Sequence, residues 1–451
     1  MTGKLGCIIL AAGGGTRMKS ALPKPLHKIA GRPMIGHVLA AAEALNPDKI
    51  VVVIGSGMEQ MAEAVRPHPI AVQQFINGTG AAALAAKDHF NAFDGDILII
   101  LGDVPLVTPE ALKRMVEIRR RFPAIGLTFS GVRHENPAMF GRMVLDGDRT
   151  LEKIVEFRDA SDAEKEINLC WSGVICADGA KLFQWLGLIG NDNAQKEYYI
   201  TSLPQIARND NRQTHVVEVP AEEMEGANTR VELARLEKIM QRRLREKHML
   251  NGATLIDPDT VYFSYDTVVG QDVVIGPNVF FGPGVKIGDN VEILPCCHIE
   301  GAEIMDAAHV GPFARLRPGT KIGKDAKVGN FVETKNTHLG AGAKASHLSY
   351  LGDSDIGEKA NIGAGTITCN YDGFMKYKTK IGREAFVGSN TVLIAPVTVG
   401  NGAYIGAGST IGWDVPDNAL GITRAPQINK DGWAPEFRQK KIKEKAKRDS
   451  K

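Results

Sequence analysis

The sequence has few cysteines, no long apolar run and almost no net charge. Its six cysteines are scattered, which argues against a disulfide framework or a zinc site and favours a reducing compartment. No apolar stretch approaches the roughly 18 residues of a membrane-spanning helix, so we expect a cytoplasmic protein without membrane insertion. A formal net charge of +2 gives no reason to expect a nucleic acid partner.

An aliphatic residue recurs every six positions from Val269 to Gly412, and glycine often follows it. A short period sustained for this length is typical of a solenoid. We interpret it as a parallel β-helix in which three hexads form one triangular coil and the aliphatic side chains point inward. The glycine allows a corner, either because a side chain would clash or because φ is unfavourable there. A β-sandwich is the alternative, although its turns do not hold such a phase.

The hexad phase is interrupted by residues 369–380. Loops that leave a solenoid often carry function, so we interpret this insertion as part of a site rather than as a tolerated surface loop. Polar residues such as His347 lie between the repeat positions and are expected to face outward. Taken alone, a histidine in such a position is more often a surface or packed residue than a catalytic one.

The first half alternates buried-strand patterns with helical patterns, which predicts an α/β domain of the doubly wound, Rossmann-like type. The strands span residues 5–12, 49–55 and 96–102. A glycine loop containing Arg17, with Lys24 close behind, follows the first strand and can offer N–H groups and cations to phosphate. The loop is neither GxxxxGK[ST] nor GxGxxG, so a tight turn without a ligand stays open.

Asp103 follows the third strand, at the sheet edge where ligands of such domains bind. A carboxylate opposite a phosphate-binding loop suits Mg²⁺, which takes one or two protein oxygens besides phosphates. A helix N-cap is the alternative role.

The patterns divide the chain into four parts. We expect the α/β domain over residues 1–227, a connecting helix over 228–250 and the β-helix over 251–433. Asn228 and Thr229 can cap the connecting helix, which contains neither glycine nor proline. The basic run at 438–451 predicts a solvated, disordered tail over 434–451.

Several segments together resemble a known family. The first-half segments are similar to those of sugar-1-phosphate nucleotidyltransferases. With the hexad half, residues 5–433 resemble a bacterial family in which N-acetylglucosamine-1-phosphate uridylyltransferase is fused to glucosamine-1-phosphate N-acetyltransferase. The segments that carry the resemblance are 10–18, 23–25, 78–79, 101–106, 329–335, 347–353 and 361–373.

The resemblance implies a uridylyl transfer site in the first half. A sugar phosphate would attack UTP and release pyrophosphate, which requires positioning and charge neutralisation. Asp103 and Asn228 would hold Mg²⁺, and Arg17 and Lys24 would be catalytic cations on the triphosphate. The nucleotide and the N-acetylated sugar would contact Leu10, Ala11, Ala12, Gly13, Lys24, Gln73, Gly78, Thr79, Leu101, Gly102, Asp103, Gly141, Glu156, Asn168 and Asn228.

The chain departs from the family pattern at two places. After Asn168 it reads Leu-Cys-Trp-Ser-Gly, where the family places Asn-Thr-Gly directly, so the contacts just after Asn168 are open. Gly14 stands where a basic residue is common, so phosphate binding relies more heavily on Arg17.

The resemblance implies an acetyl transfer site in the second half. An ammonium is not nucleophilic, so His347 would take a proton from the 2-amino group before the amine attacks acetyl-CoA. From their adjacency in the motif region we infer that Glu333 orients or polarises His347. Glucosamine-1-phosphate would be bound by Arg317, Lys335, Tyr350 and Asn361. Acetyl-CoA would be bound by Ala364, Asn370, Tyr371, Ser389, Ala407 and Arg424.

The resemblance also implies a left-handed coil, which parallel β crossovers usually avoid. It further implies a homotrimer with acetyl transfer sites where subunits meet, and a product that supplies peptidoglycan and lipopolysaccharide synthesis. One alternative is a single-activity nucleotidyltransferase whose β-helix is structural or regulatory. Another is a non-enzymatic sugar-nucleotide-binding subunit. The candidate catalytic residues in both halves argue against these alternatives.

Overall fold

The structure is a computed structural model that describes residues 3–75, 77–135, 137, 140–147 and 149–449. It contains two compact units. The first comprises the chain up to Leu250 together with Tyr262–Asp266, and the second comprises Asn251–Val261 and the chain from Thr267 onward. None of the helices in the described segments has the length and apolar character that a membrane crossing requires.

The first unit is an α/β fold. Its strands are β1 (Leu5–Leu10), β2 (Lys28–Ile29), β3 (Arg32–Pro33), β4 (Lys49–Gly55), β5 (Ile70–Gln73), β6 (Asp96–Leu101), β7 (Ile125–Arg133), β8 (Arg142–Leu145), β9 (Leu151–Val155), β10 (Leu169–Asp178) and β11 (Gln213–Glu218). Its helices are α1 (Met34–Glu43), α2 (Glu59–Ala64), α3 (Thr79–Leu84), α4 (Pro109–Arg121), α5 (Asp162–Lys165), α6 (Gly179–Leu186), α7 (Leu203–Asn209) and α8 (Arg230–Leu250).

The main sheet has the strand order β11-β7-β10-β6-β1-β4-β5, with β8 and β9 beside β10. Strands β6, β1, β4 and β5 run parallel, whereas β10 is antiparallel to both β6 and β7. Alternate side chains of β1 enter different cores. Cys7 and Ile9 pack with α1 and α4, and Ile8 and Leu10 pack with α3 and α6. The predicted doubly wound domain is therefore confirmed, since helices cover both faces of the sheet.

Helix α8 packs as part of the first unit, whereas the sequence predicts a helix that only connects two domains. The Gln241 amide donates to the Phe263 carbonyl oxygen at 2.7 Å and accepts from the Phe263 N–H at 2.8 Å. The helix begins after Thr229, whose hydroxyl accepts a hydrogen bond from the Glu232 N–H. The Gln241 contacts therefore tie the middle of α8 to the Tyr262–Asp266 segment of the first unit, and Thr229 caps the start of the helix.

The second unit is built from short parallel strands. They are β12 (Thr254–Leu255), β13 (Val268–Val269), β14 (Val274–Ile275), β15 (Phe280–Phe281), β16 (Lys286–Ile287), β17 (Glu292–Ile293), β18 (His298–Ile299), β19 (Ala302–Ile304), β20 (His309–Val310), β21 (Arg315–Leu316), β22 (Thr320–Ile322), β23 (Lys327–Asn330), β24 (Glu333–Leu339), β25 (Lys344–His347), β26 (Tyr350–Ile356), β27 (Asn361–Ile362), β28 (Ile367–Cys369), β29 (Thr379–Ile381), β30 (Phe386–Val387), β31 (Val392–Ile394), β32 (Val397–Val399), β33 (Tyr404–Ile405), β34 (Thr410–Ile411) and β35 (Leu420–Gly421).

The strands stack as successive coils of a β-helix, as the hexad phase predicts. Ile275 pairs with Ile293, and Ile293 pairs with Val310 in the next coil. These aliphatic side chains are buried along the axis of the coil. Each coil therefore offers its neighbour both a hydrogen-bonding edge and an apolar layer.

Two of the corner glycines, Gly323 and Gly357, are required by space rather than by backbone conformation. A Cβ on Gly357 would lie 2.5 Å from the Arg383 nitrogen, and one on Gly323 would lie 2.7 Å from the Ala341 nitrogen. Neither glycine has a φ in the left-handed region. At these two corners the clash with the next coil is therefore the reason that applies, whereas Gly311 has a φ of 101° and also needs glycine for its backbone conformation.

Residues 369–380 leave the coil as a small hairpin. Tyr371 and Lys376 form an antiparallel bridge, and the Tyr377 N–H donates to the Asn370 carbonyl oxygen at 2.9 Å. The Asp372 carboxylate accepts from the Met375 N–H at 2.6 Å, which closes the tip. The insertion is thus an ordered projection from the coil.

The basic tail forms an exposed helix, α9 (Trp433–Asp449), where the sequence predicts disorder. Trp433 stacks on Phe437 with ring centroids 4.8 Å apart, and Lys441 pairs with Glu444 at 2.8 Å. Such pairs three and four residues apart favour a helix. The excess of basic residues gives no information about this spacing, which is why the sequence analysis predicted a disordered tail instead of a helix.

We expect Gly357→Ala to destabilise the β-helix by about 1–3 kcal/mol, because its Cβ would overlap the next coil. Gly412 provides a matched control. It also follows an aliphatic hexad residue, but its Cβ would lie 4.0 Å from the nearest atom, a side-chain carbon of Ile394. Chemical denaturation of the full chain should show a loss for Gly357→Ala only. Equal losses in both variants would contradict this account of the corners.

Candidate active sites

A cavity of about 390 Å³ opens at the carboxyl ends of β1, β5 and β6 in the first unit. Its size is typical of small-molecule sites. It is lined by these residues from the expected nucleotide and sugar set: Leu10, Ala11, Ala12, Gly13, Lys24, Gln73, Gly78, Thr79, Leu101, Asp103 and Glu156. Gly102 lies between two of them and donates its N–H to the Leu10 carbonyl oxygen. Residues distant in sequence therefore meet where parallel strands end.

The glycine loop leaves room for a ligand against its backbone. Within the described part of the chain, a Cβ on Gly13 or Gly14 would meet no atom within 4 Å. Gly15 differs, because its φ is 60° and its Cβ would lie 2.6 Å from the Cβ of Lys24. Gly15 is thus required by the fold, whereas Gly13 and Gly14 allow a polyanion to approach closely. Arg17 follows in an exposed turn.

Lys24 joins the two expected magnesium ligands. Its Nζ contacts Oδ2 of Asp103 and donates to Oδ1 of Asn228 at 3.0 Å. A carboxylate oxygen and an amide oxygen gathered around a positive charge fit Mg²⁺, provided that substrate oxygens complete the shell. The described residues contain no cluster of three or more His, Cys, Asp or Glu suited to a metal. A metal at Asp103 and Asn228 would therefore depend on bound phosphates.

Glu156 forms a polar part of the cavity wall. Burial raises the pKa of Glu156, and the hydrogen bond from the Thr201 hydroxyl, at 3.0 Å, opposes this shift only in part. The nearby Asp159 and Glu197 carboxylates raise it further. This carboxyl group is therefore easier to protonate than an exposed one, and so better able to donate a hydrogen bond to a ligand.

The structure corrects the expected sugar contact at Asn168. The Asn168 side chain is exposed and accepts a hydrogen bond from Arg133 at 3.0 Å, outside the cavity lining. Trp171 lines the cavity instead. The backbone N–H of Trp171 donates to the Gly141 carbonyl oxygen at 3.1 Å. A Cβ on Gly141 would lie 3.5 Å from both Glu156 carboxylate oxygens. The residue of this segment that lines the cavity is thus Trp171, three positions after Asn168.

Tyr199 and Glu197 also line the cavity, and the sequence analysis missed both. Among the described residues, the buried Tyr199 hydroxyl and Trp171 indole N–H have no hydrogen-bond partner. Burial raises the pKa of Tyr199 to about 12. Both groups are hydrogen-bond donors that a polar ligand can satisfy. No local motif marks them, because they lie in segments without a repeat or glycine loop.

In the second unit, Glu333 pairs with arginine rather than with histidine. Arg317 Nη1 donates to Oε1 of Glu333 at 2.9 Å, and Arg315 Nη1 lies 3.8 Å from Oε2. The inference that Glu333 orients His347 is therefore corrected. The two residues are close in sequence, but they lie on strands of different sheets, β24 and β25.

Lys335 and Lys376 form a cationic pair beside Arg317. Contact with the Lys376 amine lowers the pKa of Lys335, and Arg317 adds to this effect while Asp353 opposes it. Two amines that converge in this way are typical of a phosphate site. Lys376 lies in the insertion, and the sequence analysis did not select it. Its contribution follows from the hairpin, which returns the chain to Lys335.

Tyr350 and Asn370 meet above Gly352. A Cβ on Gly352 would lie 2.5 Å from the Tyr350 hydroxyl oxygen and 2.8 Å from Nδ2 of Asn370. Asp353 accepts hydrogen bonds from the Asn370 amide and, at 2.7 Å, from the Asn336 amide. Gly352 thus provides the space in which the two expected ligand-binding side chains sit.

His347 projects from the end of β25 and is exposed. Its Nδ1 lies 2.7 Å from Oδ1 of Asn330, and the Ser349 hydroxyl donates to its carbonyl oxygen at 2.9 Å. Asn361 lies on β27, which pairs with β25 in the same sheet. His347 and Tyr350 stand on either side of Leu348, whose φ is 53°, so they face two sides of one corner.

The residues expected to bind acetyl-CoA form a ladder along the corner that also carries His347, where β25, β27, β30 and β33 end. Ala364, Ser389 and Ala407 each follow the corner glycine of successive coils. A Cβ on Gly388 would lie 2.5 Å from the Ala407 nitrogen, and Arg424 Nη1 donates to the Ala407 carbonyl oxygen at 2.7 Å. This edge can accommodate an extended ligand. Tyr371 lies in the hairpin with Asn370.

The two halves match separate protein families. Residues 7–165 match the MobA-like NTP transferase domain. Residues 266–301 and 378–412 match the bacterial transferase hexapeptide (six repeats) family.

Full-length relatives match the whole chain. "Bifunctional protein GlmU" of Rhodospirillum rubrum is 53% identical over 435 residues, which cover 96% of this chain and 97% of the relative. The proteins of the same name from Acidiphilium cryptum (97% and 99% covered) and Paramagnetospirillum magneticum (99% of each) are 51% and 49% identical. With the transferase cavity and the hexapeptide β-helix on one chain, the protein belongs to the GlmU family of bifunctional enzymes, whose β-helix is left-handed.

Proposed function

We propose that this chain makes UDP-N-acetylglucosamine in two steps. The second unit transfers the acetyl group of acetyl-CoA to glucosamine-1-phosphate, and the first unit then transfers the uridylyl group of UTP to the product. The observation that carries the proposal is the presence of two separate sites on one chain. One is the cavity with Lys24 and Asp103, and the other is the cationic pair of Lys335 and Lys376 on the β-helix.

In the uridylyl step, the phosphate oxygen of N-acetylglucosamine-1-phosphate attacks the α-phosphorus of UTP. A new P–O bond forms, the bond to the β-phosphate breaks, and pyrophosphate leaves. Backbone N–H groups at Gly13 and Gly14, with Lys24 and Arg17, stabilise charge on the transferring group. Mg²⁺, when held by Asp103 and Asn228, would neutralise phosphate charge in the same place.

The sugar in this step lies beside Glu156, Gly141 and Trp171. The Glu156 carboxyl, the Trp171 indole N–H and the Tyr199 hydroxyl supply polar groups for its hydroxyl and acetamido substituents. Gln73, Gly78 and Thr79 bound the nucleotide side of the cavity.

In the acetyl step, Arg317, Lys335 and Lys376 bind the phosphate of glucosamine-1-phosphate. His347 accepts a proton from the 2-ammonium group, and the resulting amine attacks the thioester carbonyl of acetyl-CoA. The C–N bond forms, the C–S bond breaks, and coenzyme A leaves as a thiolate that takes up a proton. The ladder of Ala364, Ser389 and Ala407 holds acetyl-CoA.

We also propose that the enzyme is a homotrimer that works in the cytoplasm. His347 and Tyr350 lie on β25 and β26, which belong to different sheets and meet at one corner of the coil. We infer that a neighbouring subunit completes the acetyl transfer site at this corner. The exposed stack of Phe386 on Tyr404, with centroids 5.1 Å apart, offers an apolar surface for such contact. All six cysteines are unpaired, as a reducing compartment requires.

Two variants separate the activities. We expect His347→Ala to lose acetyl transfer by about 10²–10⁴-fold, the usual contribution of a general base, while uridylyl transfer from N-acetylglucosamine-1-phosphate continues. Asp103→Asn should do the reverse. Products of purified protein with Mg²⁺, UTP, acetyl-CoA and glucosamine-1-phosphate are read by mass. Uridylyl transfer without any acetyl transfer in the unmodified protein would favour the single-activity alternative.

The lowered pKa of Lys335 predicts a pH dependence. Since Lys376 favours the neutral amine of Lys335, an amine-specific reagent should modify Lys335 at lower pH than it does in a Lys376→Met variant. Bound glucosamine-1-phosphate favours the charged form and should move the midpoint to higher pH. Peptide mass spectrometry across pH 7–11 measures this midpoint, roughly spanning the ordinary lysine value. Identical midpoints in both proteins would show that the amines do not interact.

Gly352→Ala tests the space beneath Tyr350 and Asn370. Its added methyl group would displace both side chains, so we expect about a 10-fold or greater loss in kcat/KM for acetyl transfer. Uridylyl transfer should not change. Gly412→Ala, at an open corner, is the control with the same chemical change. Unaltered acetyl transfer in Gly352→Ala would remove Tyr350 and Asn370 from the site.

A further inference from the structure

The His347 ring is held by a side chain that the mechanism above does not use. Its Nδ1 lies 2.7 Å from Oδ1 of Asn330 on the preceding coil. We propose that Asn330 is a positioning residue that keeps His347 in the tautomer with its proton on Nδ1. The inference rests on the proposed acetyl transfer, since it provides the base of that step with its partner.

Local backbone structure sets the two side chains next to each other. Strands β23 and β25 extend to four residues each, and their ladder pairs Asn330 with His347. The Asn330 carbonyl oxygen also accepts from the Leu348 N–H at 3.0 Å. A Cβ on Gly329 would overlap the Ser346 carbonyl oxygen, so glycine there permits this close approach. The Asn330 backbone therefore holds the chain at Leu348, and the Asn330 side chain holds the His347 ring.

The amide oxygen determines which ring nitrogen carries the proton. An oxygen acceptor cannot donate, so the ring nitrogen that faces it must be the N–H donor. Nε2 then carries the lone pair and is the nitrogen able to accept a proton from the substrate ammonium. With the opposite tautomer, Nε2 would be protonated and His347 could not act as the base.

Glu333 does not serve this purpose in the chain. Its two carboxylate oxygens are engaged by Arg317 and Arg315, at 2.9 and 3.8 Å. The partner of His347 is thus a neutral amide, which fixes the tautomer without adding a charge to the base.

Nuclear magnetic resonance of the full chain with ¹⁵N-labelled histidine tests the tautomer directly. We expect the Nδ1–H form of His347 in the unmodified protein, a mixture in Asn330→Ala, and the Nδ1–H form again in Asn330→Asp, which retains an oxygen acceptor. His347→Gln identifies the signal. His309 is an internal control, because its Nδ1 lies 2.8 Å from Oε2 of Glu292 and should respond to Glu292→Ala alone, which removes the acceptor.

Kinetics provide the second readout. Asn330→Ala should lower kcat of acetyl transfer about 10-fold, part of the contribution of a general base, with both KM values unchanged. Asn330→Asp should stay within about threefold of the unmodified enzyme, since the acceptor is retained. Uridylyl transfer and the Tm should be the same in both variants. Glu292→Ala should affect neither activity.

Three results would overturn the proposal. They are an Nε2–H tautomer of His347 in the unmodified protein, an unchanged tautomer and kcat in Asn330→Ala, and a His347 tautomer that changes in Glu333→Ala. A chain without acetyl transfer would instead refute the proposed function, and the resonance spectrum would still decide whether Asn330 sets the ring. Should Asn330→Ala fail to fold, the spectra of the unmodified protein and of Asn330→Asp test the same point.

Discussion

The second unit depends on the close approach of its coils at the corners. Backbone hydrogen bonds between coils, such as that from the Gly357 N–H to the Ile381 carbonyl oxygen at 2.7 Å, leave no space for a Cβ. This spacing also fixes the site. His347 lies 17 positions from Asn330, and Asn370 lies 17 from Asp353, so each residue meets its partner one coil away. The repeat that builds the fold therefore also aligns the side chains of the proposed acetyl transfer site.

The first unit gathers its site by a different means. Parallel strands end at one edge of a sheet, and the loops that follow them bring Lys24 into contact with Asp103. Lys24 also contacts Asn228, which lies just before the start of α8. The two hydrophobic cores on either side of the sheet hold these loops at fixed positions. Rigid strands thus carry a cavity whose lining residues come from distant parts of the sequence.

Sequence patterns predicted both folds, and the family resemblance named many of the residues that line the cavity. They failed where a contact depends on register. Asn168 was selected by resemblance to a motif, but in the structure Trp171 lines the cavity instead. Glu333 is near His347 in sequence, yet the strand ladder gives that histidine Asn330. Lys376 was overlooked because only the hairpin brings it to Lys335.

The sequence by itself determined the hexad period, the glycine corners and the alternation of strands and helices. These features follow from local sterics and from burial of a repeating apolar face, both of which are legible over a few residues. Only the tertiary structure decided which polar side chains meet. Hydrogen bonds such as Asn330 to His347 join residues on different strands, and their geometry depends on register and close packing that no short segment specifies.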